Sequence, residues 1–439
     1  MTFDLARLFL IVAGSLFLGS FAVLAARGTA QRLMLFGFLS GLAWYSGIGA
    51  ADPEVPYCLI GYYFVFFAAV ITGFHFARPV FLSFGLVLGR HMPPALGSID
   101  RGKGWTWLIA IYVLLSAFPL IWPEFRLHNL FAPPSPDLLT IFYRRFTEEP
   151  DGVLKLVGYA HLLLTPFFYL ALYRLRYRLR WIIAVFVLLL YMKFVDHAYI
   201  GRGNVMMHIG LLVLAVWFLR PGYRRFIVTV GVVMAPVFLY IFYWYGRIRI
   251  GGVAADVGFG AAMQSILSVE LGFPKNVGIP ILEAGARVDI GAYFTWIATL
   301  PIPKVLTGAI EGARINYEIS DIVLGLPTGS QGWYVVLPGL VSESVYIYGP
   351  YFFWLHGIFL GIMAAFFARM AERVPQFLFL YLYLVLMFAY VLNRAGIAAL
   401  LPPVINMFLL FYLFLFFVIF RTRHRTFVAS RPIQGSESI

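Results

Sequence analysis

Three kinds of ionisable side chain in this sequence stand where they could do chemistry. Arg202 lies between Gly201 and Gly203, in a turn just ahead of an apolar run. With so little steric cover, its guanidinium can grip a phosphate through two parallel hydrogen bonds. Arg247 and Arg249 follow another apolar run directly, and Arg287, Lys304 and Arg314 follow in the next stretch. These cations suit an anionic, phosphate-bearing substrate. Interfacial snorkelling is the plainer account of Arg247 and Arg249. Glu270, Glu343 and His197 are the groups able to take a proton from a hydroxyl. Glu343 directly precedes an apolar run, where partial burial would raise its pKa toward a value useful for proton transfer. A structural ion pair with Arg249 or Arg314 explains either carboxylate equally well. Lys193 and Asp196 are three apart on one helical face and can simply pair with each other. The sequence holds no CxxC, HExxH or P-loop pattern, and its single cysteine, Cys58, excludes an internal disulfide and a thiolate metal site. No paired carboxylates or clustered histidines have metal-ligand spacing, so neither a metal nor a cofactor is expected.

The elements that must position these groups are membrane helices. The chain of 439 residues is 62% hydrophobic and only 12% charged, and a soluble domain carries roughly twice that charged share. A net charge of +13 would suit nucleic acid. However, much of the basic charge is gathered in short links between apolar runs, which is a topology signal, and no nucleic-acid partner is expected. The expected fold class is an all-α polytopic membrane protein with about eleven transmembrane helices. Eight spans are expected in 1–245, at 3–26, 33–50, 55–77, 105–122, 153–173, 181–195, 205–219 and 226–245. Three more follow, at 345–368, 377–392 and 404–420, before a basic tail over 421–439. Segment 81–88 is too short to cross and is expected at the interface. Residues 246–344 break the apolar pattern with charges, Gly and Pro. A connection of this length is more often functional than ornamental. It is expected to cap one face of the bundle and hold the active site. Within it, a short helix should carry Glu270. The aromatic run 290–300, stopped by Pro301 and Pro303, should lie at the interface or re-enter.

Basic clusters at 27–32, 90–103, 174–180, 220–225, 369–373 and 421–425 fall on every second connection. The positive-inside rule then places the N-terminus and the long loop outside and the C-terminus in the cytoplasm. Treating the first span as a cleaved signal peptide would invert every later connection, so it is kept as a span. No internal repeat or matched pair of interrupted helices points to an inverted-repeat transporter.

The order of these features resembles the oligosaccharide repeat-unit polymerases, the Wzy-type O-antigen polymerases of bacterial envelopes. The similar pieces are the Gly201-Arg202-Gly203 turn, Glu270 in the long loop and the aromatic stretch ending in Ile302-Pro303-Lys304. The run from Pro338 through Glu343 to Pro350, leading into Gly357 and Gly361, completes the likeness over roughly 190–370. The family commonly has arginine where Lys304 stands, so the charge is kept and a bidentate fork is lost. The resemblance implies metal-independent glycosyl transfer on the periplasmic face of the inner membrane. A glycan on undecaprenyl diphosphate would move to the sugar of a second lipid-linked repeat unit. It implies lipid-linked glycans, the bilayer and a chain-length-regulating membrane protein as partners. Two alternatives are an O-antigen ligase and a lipid-linked oligosaccharide flippase. Ligases are expected to carry a histidine late in the outer loop, and 246–344 contains none. A flippase needs charges lining a central path, whereas the clusters here lie toward the outside.

Overall fold

Without water to satisfy backbone polar groups, a single apolar run is stable in a bilayer as an α-helix, and helices are what this chain forms. The computed structural model describes residues 3–96, 99, 102–121, 152–197, 202–249, 260, 264, 267–268, 270–302, 313–330 and 333–429. Among them no residue is in a strand. The first group of helices is α1 (Leu5–Ala25), α2 (Thr29–Leu42), α3 (Tyr57–Leu96), α4 (Lys103–Ser116), α5 (Gly152–Leu172), α6 (Leu179–His197), α7 (Arg202–Leu219) and α8 (Arg224–Arg249). The second is α9 (Ile290–Thr299), α10 (Ile315–Leu324), α11 (Leu340–Phe352), α12 (Trp354–Arg373), α13 (Leu378–Leu386), α14 (Ile397–Pro402) and α15 (Leu409–Ala429). Among the described residues, six helical segments are long and apolar enough to cross a bilayer, or up to eight if each of two bent pairs is one span. The chain is thus an all-α, multi-pass membrane protein.

Several boundaries differ from the sequence reading, each for a local reason. Helix α3 is 40 residues long, about 60 Å at 1.5 Å per residue. Segment 81–88 therefore continues its backbone instead of forming a separate piece, because a charge such as Arg78 ends an apolar run without ending a helix. Run 345–368 is divided. Gly349 (φ 72°, ψ 176°) kinks α11 just before Pro350, and the spanning segment is Trp354–Arg373. Helix α8 carries on through Arg247 and Arg249, placing both on its last turn, where the helix dipole favours cations.

The core is centred on α3 packed along α12. A Cβ on Gly361 would run into the Val70 carbonyl, one on Gly357 into Ala69, and one on Gly73 into the Ile358 backbone. In lipid, helices gain little from hydrophobic exclusion, so glycines that let backbones touch are what hold such a pair together. Helix α2 packs in a similar way on the π-helix Met387–Leu392, where Gly41 faces the Ala389 carbonyl. A π-turn disturbs the i→i−4 ladder. Buried Asn393 compensates, its Nδ2 donating to Phe388 O at 2.7 Å and Phe38 O at 3.2 Å.

The two ends of the bundle differ in charge. At one end, Arg7 at the start of α1 donates to Asp52 O and Val55 O. Lys275 of the long loop bridges Asp52 (3.5 Å) and Glu54 (2.8 Å). At the other end, residues of the basic segments 27–32, 174–180, 220–225 and 369–373 line one cavity. Arg174 there also donates to Ile99 O and Gly102 O, which brings in the 90–103 connection.

Candidate active site

The long loop is pinned to the bundle at one irregular turn. After the π-helix, residues 393–395 make a single helical turn, and Gly396 (φ 79°) breaks the direction before α14 begins. Both carboxylates singled out in the sequence converge on this break. Glu270 accepts from Arg394 Nε at 2.8 Å and Nη2 at 2.9 Å, a two-bond fork between half-buried side chains. Glu343 is fully buried. Its carboxylate accepts from the backbone N–H of Ile397 and, at 2.9 Å, of Ala398, capping the exposed donors of α14. Gly339 N–H donates to Arg394 O at 3.2 Å, fixing the start of α11 to the same turn. A side chain at 396 would collide with the Glu343 carboxylate, so the position needs glycine for space as well as for its positive φ. Burial pushes the Glu343 carboxyl up to about 8, with the Ala398 and Ile397 amides pulling the other way.

Aromatic side chains floor this turn. The Arg394 guanidinium lies 5.8 Å from the Tyr390 ring centre, within cation–π range. Tyr45 stands between Tyr390 (6.1 Å) and Phe273 (5.9 Å). Gly203 closes the ring of contacts, since a Cβ there would be 3.1 Å from the Tyr390 ring and hydroxyl. Gly203, at the head of α7, therefore packs on the same Tyr390 ring that lies beside Arg394. The side chains of His197, Arg202, Arg247 and Arg249, and all of Lys304, lie outside the described residues.

Helix α11 ties the remaining groups to this site. Arg287 is exposed beside the Gly349 kink, where a Cβ would sit 2.8 Å from its guanidinium carbon. Arg314 is exposed at the start of α10. Its N–H donates to Glu318, whose other carboxylate oxygen accepts from Tyr346 Oη at 2.8 Å. Neither guanidinium makes a hydrogen bond or ion pair among the described residues. The aromatic run expected at the interface is α9, N-capped by Asp289. Its Tyr293 donates to His356 Nε2 at 2.9 Å, and His356 Nδ1 meets Ser344 Oγ at 3.1 Å. Ser344 uses its one proton on Leu340 O. The Nδ1 atom must therefore carry the imidazole proton, and Nε2 must accept from tyrosine. This buried relay locks the loop helix onto α11 and α12.

Arg394 and His356 join the site only in the folded chain. Arg394 carried a usable signal, an arginine on a connection where the positive-inside rule gives none a reason to be. His356 carried none, being one polar residue inside an apolar run. Among the described residues, no three His, Cys, Asp or Glu side chains gather into a set that could hold a metal ion. Comparison with protein families, curated proteins and solved structures finds no match for the chain.

Proposed function

We propose that this protein polymerises undecaprenyl-diphosphate-linked oligosaccharide repeat units on the periplasmic face of the bacterial inner membrane. One observation carries the reading. The loop carboxylate Glu270 and the return of the loop into the bundle meet at Arg394, and Gly203 packs on the adjoining Tyr390, at the end of the molecule away from the arginine-rich cavity. By the positive-inside rule that end faces outward, with eleven spans, the N-terminus periplasmic and the C-terminus cytoplasmic.

In this scheme the acceptor sugar's hydroxyl oxygen attacks the anomeric carbon of the donor glycan. The bond from that carbon to the diphosphate oxygen breaks, and undecaprenyl diphosphate leaves with the bonding electron pair. Arg202, with Arg287 and Arg314, stabilises the charge on the departing diphosphate, and Arg247, Arg249 and Lys304 extend the cationic rim. Glu270 takes the acceptor's proton and Arg394 is a positioning residue that aims it. His197 is the alternative base. Glu343 is assigned the shape of the turn instead of proton transfer, because it is fully buried against backbone amides, whereas Glu270, though paired with Arg394, stays partly exposed. No metal is required in this scheme, since arginines supply the positive charge.

The test uses purified protein with lipid-linked repeat units, read as glycan length. Arg202→Ala, Arg247→Ala and Arg287→Ala should abolish or strongly shorten the product at normal protein abundance, and Arg202→Lys should fail as well. Full-length product from all three alanine variants would place the diphosphate site elsewhere.

A further inference from the structure

The basic end of the bundle holds a cavity of about 800 Å³ that the proposed polymerase reaction does not use. Its lining includes Arg27, Arg176, Arg224 and Arg369, one from each of four separate connections, against a single carboxylate, Glu372. Repulsion among four guanidinium groups would ordinarily spread them apart into water. Glu372 is already engaged, accepting from Gln31 Nε2 at 2.8 and 2.7 Å and from Arg369 Nη1 at 3.2 Å. Arg369 is 9% exposed, and its Nε is buried without any hydrogen-bond partner. A buried guanidinium donor left unmatched is costly, and the residue that carries it lines this cavity. Arg27 is exposed and makes no hydrogen bond or ion pair among the described residues. Arg176 lies over the Tyr173 ring at 4.2 Å and Arg224 over the Trp217 ring at 5.5 Å. The same wall also carries apolar side chains, among them Phe218, Leu219, Pro375 and Leu378.

We propose that this cavity binds a phosphate-bearing anion, with Arg27, Arg224 and Arg369 on the phosphate oxygens and the apolar wall against whatever the phosphate is attached to. Basic pockets between helix ends at a membrane surface have the chemistry to take lipid headgroups, because phosphate and apolar tail arrive together. The site is remote from the Arg394 turn, and the proposal stands whether or not the polymerase reading does.

Native mass spectrometry of the detergent-solubilised full chain tests it with three probes: dioleoyl phosphatidylglycerol, dioleoyl phosphatidylcholine and inorganic phosphate. The wild type should retain phosphatidylglycerol over phosphatidylcholine. The double variant Arg27→Gln/Arg224→Gln should bind it about tenfold more weakly, the loss of one to two charge-assisted contacts. Both residues are exposed, so folding should survive. Arg178→Gln/Arg180→Gln, on the same face but outside the cavity lining, should leave binding unchanged. Retention of phosphatidylglycerol that excess inorganic phosphate does not displace identifies a lipid source. Binding of inorganic phosphate alone, weakened by the same double variant, identifies a soluble one. Equal retention of the two lipids with no phosphate binding overturns the proposal. So does an equal loss in the two double variants, which would mean diffuse surface charge.

Discussion

At the scale of single residues, the two loop carboxylates have opposite assignments and separable consequences. Glu343→Gln replaces an oxygen, which can accept from a backbone N–H whether or not the carboxyl is protonated, by an N–H₂ that cannot, so one buried bond is lost and a donor faces a donor. We expect destabilisation of about 1–3 kcal/mol, read as a lower melting temperature in detergent, with residual folded protein still active. Glu270→Gln keeps one acceptor for Arg394 but loses the charged fork, so it should melt lower than the wild type, and its folded fraction should make no polymer. Wild-type turnover by Glu270→Gln would transfer the base role to His197. The Glu343 carboxyl also predicts a pH dependence. Its folded value of about 8 stands above the ordinary 4.5. Between those limits the folded state holds a proton that the unfolded chain has released. Stability is therefore greatest at the acid end and falls as pH rises toward 8. Melting curves from pH 5 to 8 should show that slope in the wild type, and a flatter one in Glu343→Gln.

At the scale of elements, glycine geometry decides which helices touch and where they break. Gly361→Leu would force α12 off α3 at the Val70 carbonyl, and we expect a loss of about 1–3 kcal/mol or more. Expression and a monodisperse peak in size exclusion would report it. Gly396→Ala adds a side chain at positive φ against Glu343, with strain of about 1–3 kcal/mol at the loop's anchor. If the turn positions Glu270 as proposed, this variant should lose polymerisation well before it loses fold. Normal product length from well-folded Gly396→Ala protein would separate the turn from the chemistry.

At the scale of the whole molecule, everything depends on which side of the membrane the Arg394 turn faces. Cys58 is exposed, so it is first replaced by serine. Single cysteines are then introduced by Ser330→Cys in the loop and Arg178→Cys at the basic end. In intact cells with a permeable outer membrane, a membrane-impermeant maleimide should label the first and spare the second until the inner membrane is opened. The reverse pattern would put the loop in the cytoplasm and remove the proposed function with it.

The sequence by itself determined the class of molecule. Runs such as 5–25 and 57–77 have no stable alternative to helix in a bilayer, and the basic clusters at 27–32, 174–180, 220–225 and 369–373 share one cavity. It also marked Glu270 and Glu343, because a charge beside an apolar run must find a partner or water. Which partner was settled only by tertiary contact. Arg394 lies 124 residues from Glu270 along the chain, and the amides that hold Glu343 belong to a turn that exists only because Gly396 breaks a span. No local pattern distinguishes Arg394 from Arg249 or Arg314 as a counter-ion. Glycine spacing likewise hints at close packing, yet only the fold chose α3 as the surface that Gly357 and Gly361 meet. Local chemistry sets what each segment needs, while pairing across a hundred residues depends on which backbones can approach closely enough to supply it.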